Sequence, residues 1–125
     1  MKYDSKFEKA AHEIMQGCKY HPAQRIFYLV PKHYEPDFLY TQSGKTWYIE
    51  AKGRFRTSEE ARKYVIIAET LSSKEELVFL FQRAKTPMPG SRRRKDGTRY
   101  TMEEWAEKHG FRWYTLDTIP TGWRR

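Results

Sequence analysis

Apolar side chains return at helical spacing near the start of the chain, at Phe7, Ala10, Ala11, Ile14 and Met15, with charged or polar residues between them. That periodicity predicts an amphipathic helix over residues 5–16, with Ser5 placed to cap its first turn and Gly17 just past its end. Residues 25–30 read Arg-Ile-Phe-Tyr-Leu-Val and stop at Pro31, a β-branched and aromatic run that predicts a strand. Residues 34–40 and 47–51 predict two more, joined by the turn signal Gln42-Ser43-Gly44-Lys45. Thr57 followed by Glu60 is a capping box, and Ala61, Tyr64, Val65, Ala68 and Leu71 form a helical stripe behind it. Residues 77–81 are too few and too continuously apolar for another such helix and predict a buried strand. A short helix over 101–108, ended by His109-Gly110, and a last strand over 111–116 complete the pattern. The order α-β-β-β-α-β-(α)-β predicts an α/β fold, a mixed β-sheet flanked by helices.

Residues 83–99 break this alternation. Pro87, Pro89, Gly90 and Gly97 punctuate a stretch with six Lys or Arg between Arg83 and Lys95, the composition of a mobile basic loop. At 125 residues the whole chain, 1–125, is expected to form a single domain, with residues 117–125 as a C-terminal tail. The 24 Lys plus Arg against 16 Asp plus Glu leave +8, which suits a polyanionic partner or an acidic membrane surface without choosing between them. The longest apolar runs, 26–30, 64–68 and 77–81, fall far below the ~20 residues of a spanning helix, so a soluble protein with no membrane partner is expected. Cys18 is the only cysteine and the first residues are charged, so no internal disulfide and a cytoplasmic location are expected.

Chemistry concentrates in Pro36-Asp37, twelve residues, then Glu50-Ala51-Lys52. Alternate strand residues share a face, so Glu50 and Lys52 project together while Ile49 and Ala51 are expected to face the core. If 34–40 pairs antiparallel through the turn, Asp37 comes beside Glu50, and two carboxylates can share a metal. Oxygen donors suit Mg²⁺, which takes one or two carboxylates and keeps water and phosphate on its other positions. The metal polarises a phosphate and acidifies a bound water, while Lys52 orients that water or stabilises charge on the pentavalent phosphorus. Phosphodiester hydrolysis is the reaction expected.

Other residues leave two readings open. Glu8 completes Ser5-x-x-Glu8, a capping box, and is as readily a cap as a metal or water-positioning residue. Glu35 shares the face of Asp37 but is better read as a surface residue, and His12, His21, His33 and His109 lack ligand spacing. Arg83, Lys85, Arg92, Arg93, Arg94 and Lys95 are candidate phosphate contacts, or simply a solvated face. Trp47, Trp105, Trp113 and Trp123 fit core or tail packing better than base stacking.

On these residues the chain resembles the phage endonuclease I family, podovirus Holliday-junction resolvases of the PD-(D/E)xK superfamily. The matching motifs are Ser5-x-x-Glu8, Tyr34 with Pro36-Asp37-Phe38-Leu39, Glu50-x-Lys52-Gly53, Glu107-Lys108-His109-Gly110, and Ile119-Pro120 followed by Trp123. The resemblance implies a restriction-endonuclease-like PD-(D/E)xK core. It also implies a catalytic set of Glu8, Asp37, Glu50 and Lys52, with one or two Mg²⁺ or Mn²⁺ ions, and branched DNA, four-way junctions, as substrate. It implies further a domain-swapped homodimer in which each site takes its helix glutamate from one chain and the rest from the other. The connection over 31–36, where the family's inter-subunit bridge lies, is shorter here. Two other functions would share parts of this pattern: a PD-(D/E)xK nickase of ordinary duplex or single-stranded DNA without junction preference, and a non-catalytic basic DNA-binding protein.

Overall fold

The computed structural model describes residues 5–124, so Arg125, the end of the expected tail, and the first four residues lie outside the described residues. The chain divides into two compact units between Lys32 and His33.

The N-terminal unit holds α1 (Lys6–Ile14), started by Ser5, whose hydroxyl accepts the Glu8 N–H at 3.1 Å. Met15 closes the helix by donating its N–H to the Ala11 carbonyl at 2.7 Å. Tyr20 stacks on both His12 and His21, at centroid distances of 4.8 and 4.1 Å. Residues 25–30 do not form the expected strand. A strand needs a neighbour for its N–H and C=O groups, and among the described residues this run pairs with none. The side chains of residues 26–30 are open to solvent, from 60% exposed at Val30 to 98% at Leu29.

The C-terminal unit is an α/β structure with a four-stranded mixed sheet in the order β1-β2-β3-β4. β1 (Phe38–Gln42) and β2 (Lys45–Lys52) form an antiparallel hairpin. Its two-residue turn places Ser43 at φ 52° and Gly44 at φ 80°, the left-handed pair that matches the twist of tight hairpins. α2 (Ser58–Glu69), capped by the Thr57 hydroxyl, carries the chain across to β3 (Glu75–Phe81), which pairs parallel with β2. α3 (Met102–Lys108) begins with a reciprocal capping box between Thr101 and Glu104. The last strand, β4 (Trp113–Tyr114), covers only part of the expected 111–116, because the backbone turns away where Thr118 donates its N–H to the Thr115 carbonyl. Likewise the strand expected over 34–40 starts only at Phe38. No helix among the described residues is long and apolar enough to cross a membrane.

The structure bears out the burial of Ile49 but not that of Ala51, and the parallel register puts the main core on the other side of β2. Tyr48, Glu50 and Lys52 lie beside Leu77, Phe79 and Phe81, which belong to the main aromatic cluster with Tyr64, Trp105 and Phe111. Ile49 is buried on the opposite face next to Val78, but Ala51 is exposed. The charged pair therefore stands on the helix-covered face, at the edge of the aromatic core.

The basic segment 83–99 is cross-tied by its own backbone and side chains. Met88 donates its N–H to Tyr100 O and buries its side chain, and Pro87 bridges Thr101. Arg94 binds both oxygens of Glu104 at 2.9 Å and the Arg99 carbonyl at 2.8 Å.

Candidate active site

Glu50 anchors the site. It is only 7% exposed, and a buried carboxylate without partners would cost several kcal/mol. Its partners are two phenols: Tyr34 donates its O–H to Oε1 at 2.7 Å, and Tyr64 donates to Oε2 at 3.1 Å. Hydrogen bonds to a charged group contribute ~1.5–3 kcal/mol each, enough together to offset much of that burial. Both tyrosines remain donors at neutral pH. Burial first, then the Glu50 carboxylate, raises Tyr34 well above the ordinary phenol range, and burial pushes Tyr64 up to about 12. A carboxylate has about four acceptor positions, so Glu50 keeps capacity for a cation.

Lys52 sits between two carboxylates. Its Nζ lies 3.5 Å from Glu50 Oε2 and 3.4 Å from Glu60 Oε1, and 5.1 Å from the centre of the Tyr64 ring. Burial alone would lower its pKa, but Tyr64, Glu60 and Glu50 more than offset that, and the net shift is upward. The ammonium is thus kept charged and aimed, which suits it to an anionic phosphate rather than to taking up a proton.

Asp37 lies one residue before β1, and the pairing of Phe38 with Ile49 carries it opposite Glu50. It is exposed, and its Oδ2 accepts the Ala51 N–H at 3.0 Å. Among the described residues nothing donates to Asp37 Oδ1, which leaves that oxygen available. Asp37, open and just before β1, and Glu50, anchored within β2, both offer oxygen donors, chemistry that would suit a hard divalent cation that retains several waters.

Glu8 belongs to the N-terminal unit, where its backbone starts α1 and Tyr20 donates an O–H to its Oε2 at 2.6 Å. Glu35 and His33 are exposed. Of the candidate phosphate contacts, Arg83, Arg92, Arg93 and Lys95 are exposed and carry no side-chain partner among the described residues. Lys85 is 3.5 Å from Glu103, while Arg94 is held by Glu104 and is committed to the loop's own structure.

Three residues of the site were not expected from sequence: Tyr34, Glu60 and Tyr64. Glu60 was legible only as a helix-capping residue, and in the structure its carboxylate accepts the Arg56 N–H at 3.3 Å as well as facing Lys52. The i, i+4 spacing of Glu60 and Tyr64 puts both on one face of α2, but only the packing of α2 turns that face toward Lys52. No family profile and no curated protein matches the chain.

Proposed function

We propose that the protein is a metal-dependent DNA endonuclease of the PD-(D/E)xK type that cleaves branched DNA as a homodimer. The observation that carries this reading is a buried, hydrogen-bonded Glu50 with Lys52 beside it and Asp37 opposite it in the hairpin. A structural ion pair alone has no need of a third acidic group with an open oxygen. Asp37 and Glu50 would hold Mg²⁺ or Mn²⁺, one or two ions per site, which when bound would supply Lewis-acid polarisation of a phosphate and a more acidic water. Tyr34 and Tyr64 fix the Glu50 carboxylate in one orientation. Lys52, steadied by Glu60, stabilises negative charge as it builds on the phosphate.

The resemblance to junction resolvases supports branched DNA as the substrate and Glu8 as a fourth catalytic residue. The homodimer has a further support in this chain, the uncovered apolar run over 26–30. A two-fold protein also presents two equivalent sites to a four-way junction, whose resolution needs two cuts.

The test is incubation of supercoiled plasmid carrying a cruciform with the protein in Mg²⁺ or EDTA, beside a relaxed linear control. Cleavage is expected only of the cruciform and only with the metal. Asp37→Asn, Glu50→Gln and Lys52→Ala should each lower it by ~10²-fold or more while junction binding persists. Equal cutting of both DNAs would remove the junction preference. DNA binding without any metal-dependent cutting would reject the enzyme.

A further inference from the structure

Beyond β2 the chain passes through Arg54, Phe55 and Arg56 before entering α2. Phe55 is 3% exposed and packs on Trp105 at a centroid distance of 4.8 Å, so it pins this short connection to the aromatic core. The arginines on either side of it are exposed, and among the described residues neither guanidinium has a hydrogen-bond or ion-pair partner. They line one wall of a concavity of about 630 Å³ whose other wall is the turn from Thr86 to Gly90. That second wall is fixed by backbone bonds, since Met102 donates to Thr86 O at 2.8 Å and Met88 to Tyr100 O at 2.8 Å. The concavity adjoins the site through one residue: Arg56 donates its N–H to the same Glu60 oxygen that lies 3.4 Å from Lys52 Nζ.

Two unpaired cations in a preformed groove, next to the Lys52 ammonium, describe a track for a polyanionic strand. Arg94 differs in kind, because its charge is already neutralised by Glu104. We infer that the groove between Arg54–Arg56 and the Thr86 to Gly90 turn seats the phosphodiester backbone of one DNA strand next to the scissile bond. This inference rests on the nuclease reading above for the position of the scissile phosphate. Arg54 and Arg56 are positioning residues in it: they hold the strand so that its next phosphate meets Lys52, without reading base sequence.

The experiment measures anisotropy of a labelled four-way junction and a labelled single-stranded oligonucleotide over a salt series in EDTA. It compares wild type, Arg54→Ala/Arg56→Ala, Arg54→Lys/Arg56→Lys and, as a comparison pair, Arg92→Ala/Arg93→Ala. Thermal unfolding of each variant checks that its fold is kept. With both groove cations replaced by alanine, the slope of log K against log salt should become shallower by about 1.4–1.8, and affinity should fall at least ~10-fold. The lysine pair should keep the wild-type slope. A double alanine variant with wild-type affinity and slope overturns the inference, as does weaker binding at an unchanged slope, which would mark a packing defect rather than the loss of phosphate neutralisation. If wild type binds DNA but leaves the cruciform intact in Mg²⁺, the nuclease reading fails while the slopes still decide the groove. No DNA binding by wild type overturns both.

Discussion

Two runs of similar composition meet opposite fates in this molecule. Residues 26–30 read Ile-Phe-Tyr-Leu-Val and residues 77–81 read Leu-Val-Phe-Leu-Phe, both suited to a strand. In the second run Val78, Phe79 and Phe81 are 0% exposed, while in the first Ile26 is 91% and Phe27 89% exposed. The difference lies in what surrounds them. β3 has strands on both sides and Tyr64, Trp105 and Phe111 packed against it. The earlier run has no strand neighbour among the described residues. An apolar pattern states what must be covered and does not say which atoms cover it. Burying one such side chain stabilises by ~1.5–3 kcal/mol. In the proposed homodimer the second copy supplies the cover.

The contrast breaks most visibly in the core. Phe79→Ala should destabilise the protein by ~3–5 kcal/mol through a cavity among five aromatic rings, read by urea unfolding. Phe27→Ala should leave the unfolding of a dilute, monomeric sample within about 0.5 kcal/mol of wild type. Sedimentation should nevertheless show it to dimerise more weakly. Equal destabilisation by both changes, in monomer, would mean that residues 26–30 are already covered within one chain.

Next in size are the hydroxyls on Glu50. Tyr34→Phe and Tyr64→Phe each remove one donor from a buried carboxylate and should cost about 1.5–3 kcal/mol. The double variant should cost more than either single one, since the two phenols hold different oxygens of the same group. Neutral stability changes would show that water reaches Glu50 and that the phenols do not hold it.

Much of this architecture was legible in the chain. Ser5 and Thr57 start their helices as their hydroxyls and spacing required, and Ser43-Gly44 makes the turn that sets the register between Asp37 and Glu50. The side of β2 that faces the core was not legible, because tyrosines have polar tips and apolar rings, and only packing decides which of the two governs. Nor was the Glu60 contact to Lys52, which depends on how α2 lies across the sheet rather than on local spacing. The Arg94 ion pair of the basic loop is of the same kind: composition counts Arg94 as a free cation, and only the fold brings Glu104 to it.

The smallest effect concerns that loop. Hydrogen bonds from Arg94, before all else, lower the Glu104 pKa from 4.5 to about 2. A depressed carboxyl pKa contributes stability that is complete above the ordinary value and is lost as pH falls through the folded one. The gap in melting temperature between wild type and Glu104→Gln should therefore be full above about pH 4.5 and close as pH falls toward about 2. A gap that is constant with pH would assign the loss to packing of the side chain instead.

Co-refolding of Glu8→Ala protein with Lys52→Ala protein tests most directly the proposed homodimeric nuclease, with the composite site that the resemblance implies. Each parent alone should be inactive. In the mixed dimer one site receives both intact residues and the other receives both defects, so a cruciform plasmid should be nicked once and not resolved. A mixture as inactive as its parents, with the heterodimer demonstrated by mass, would contradict the composite site.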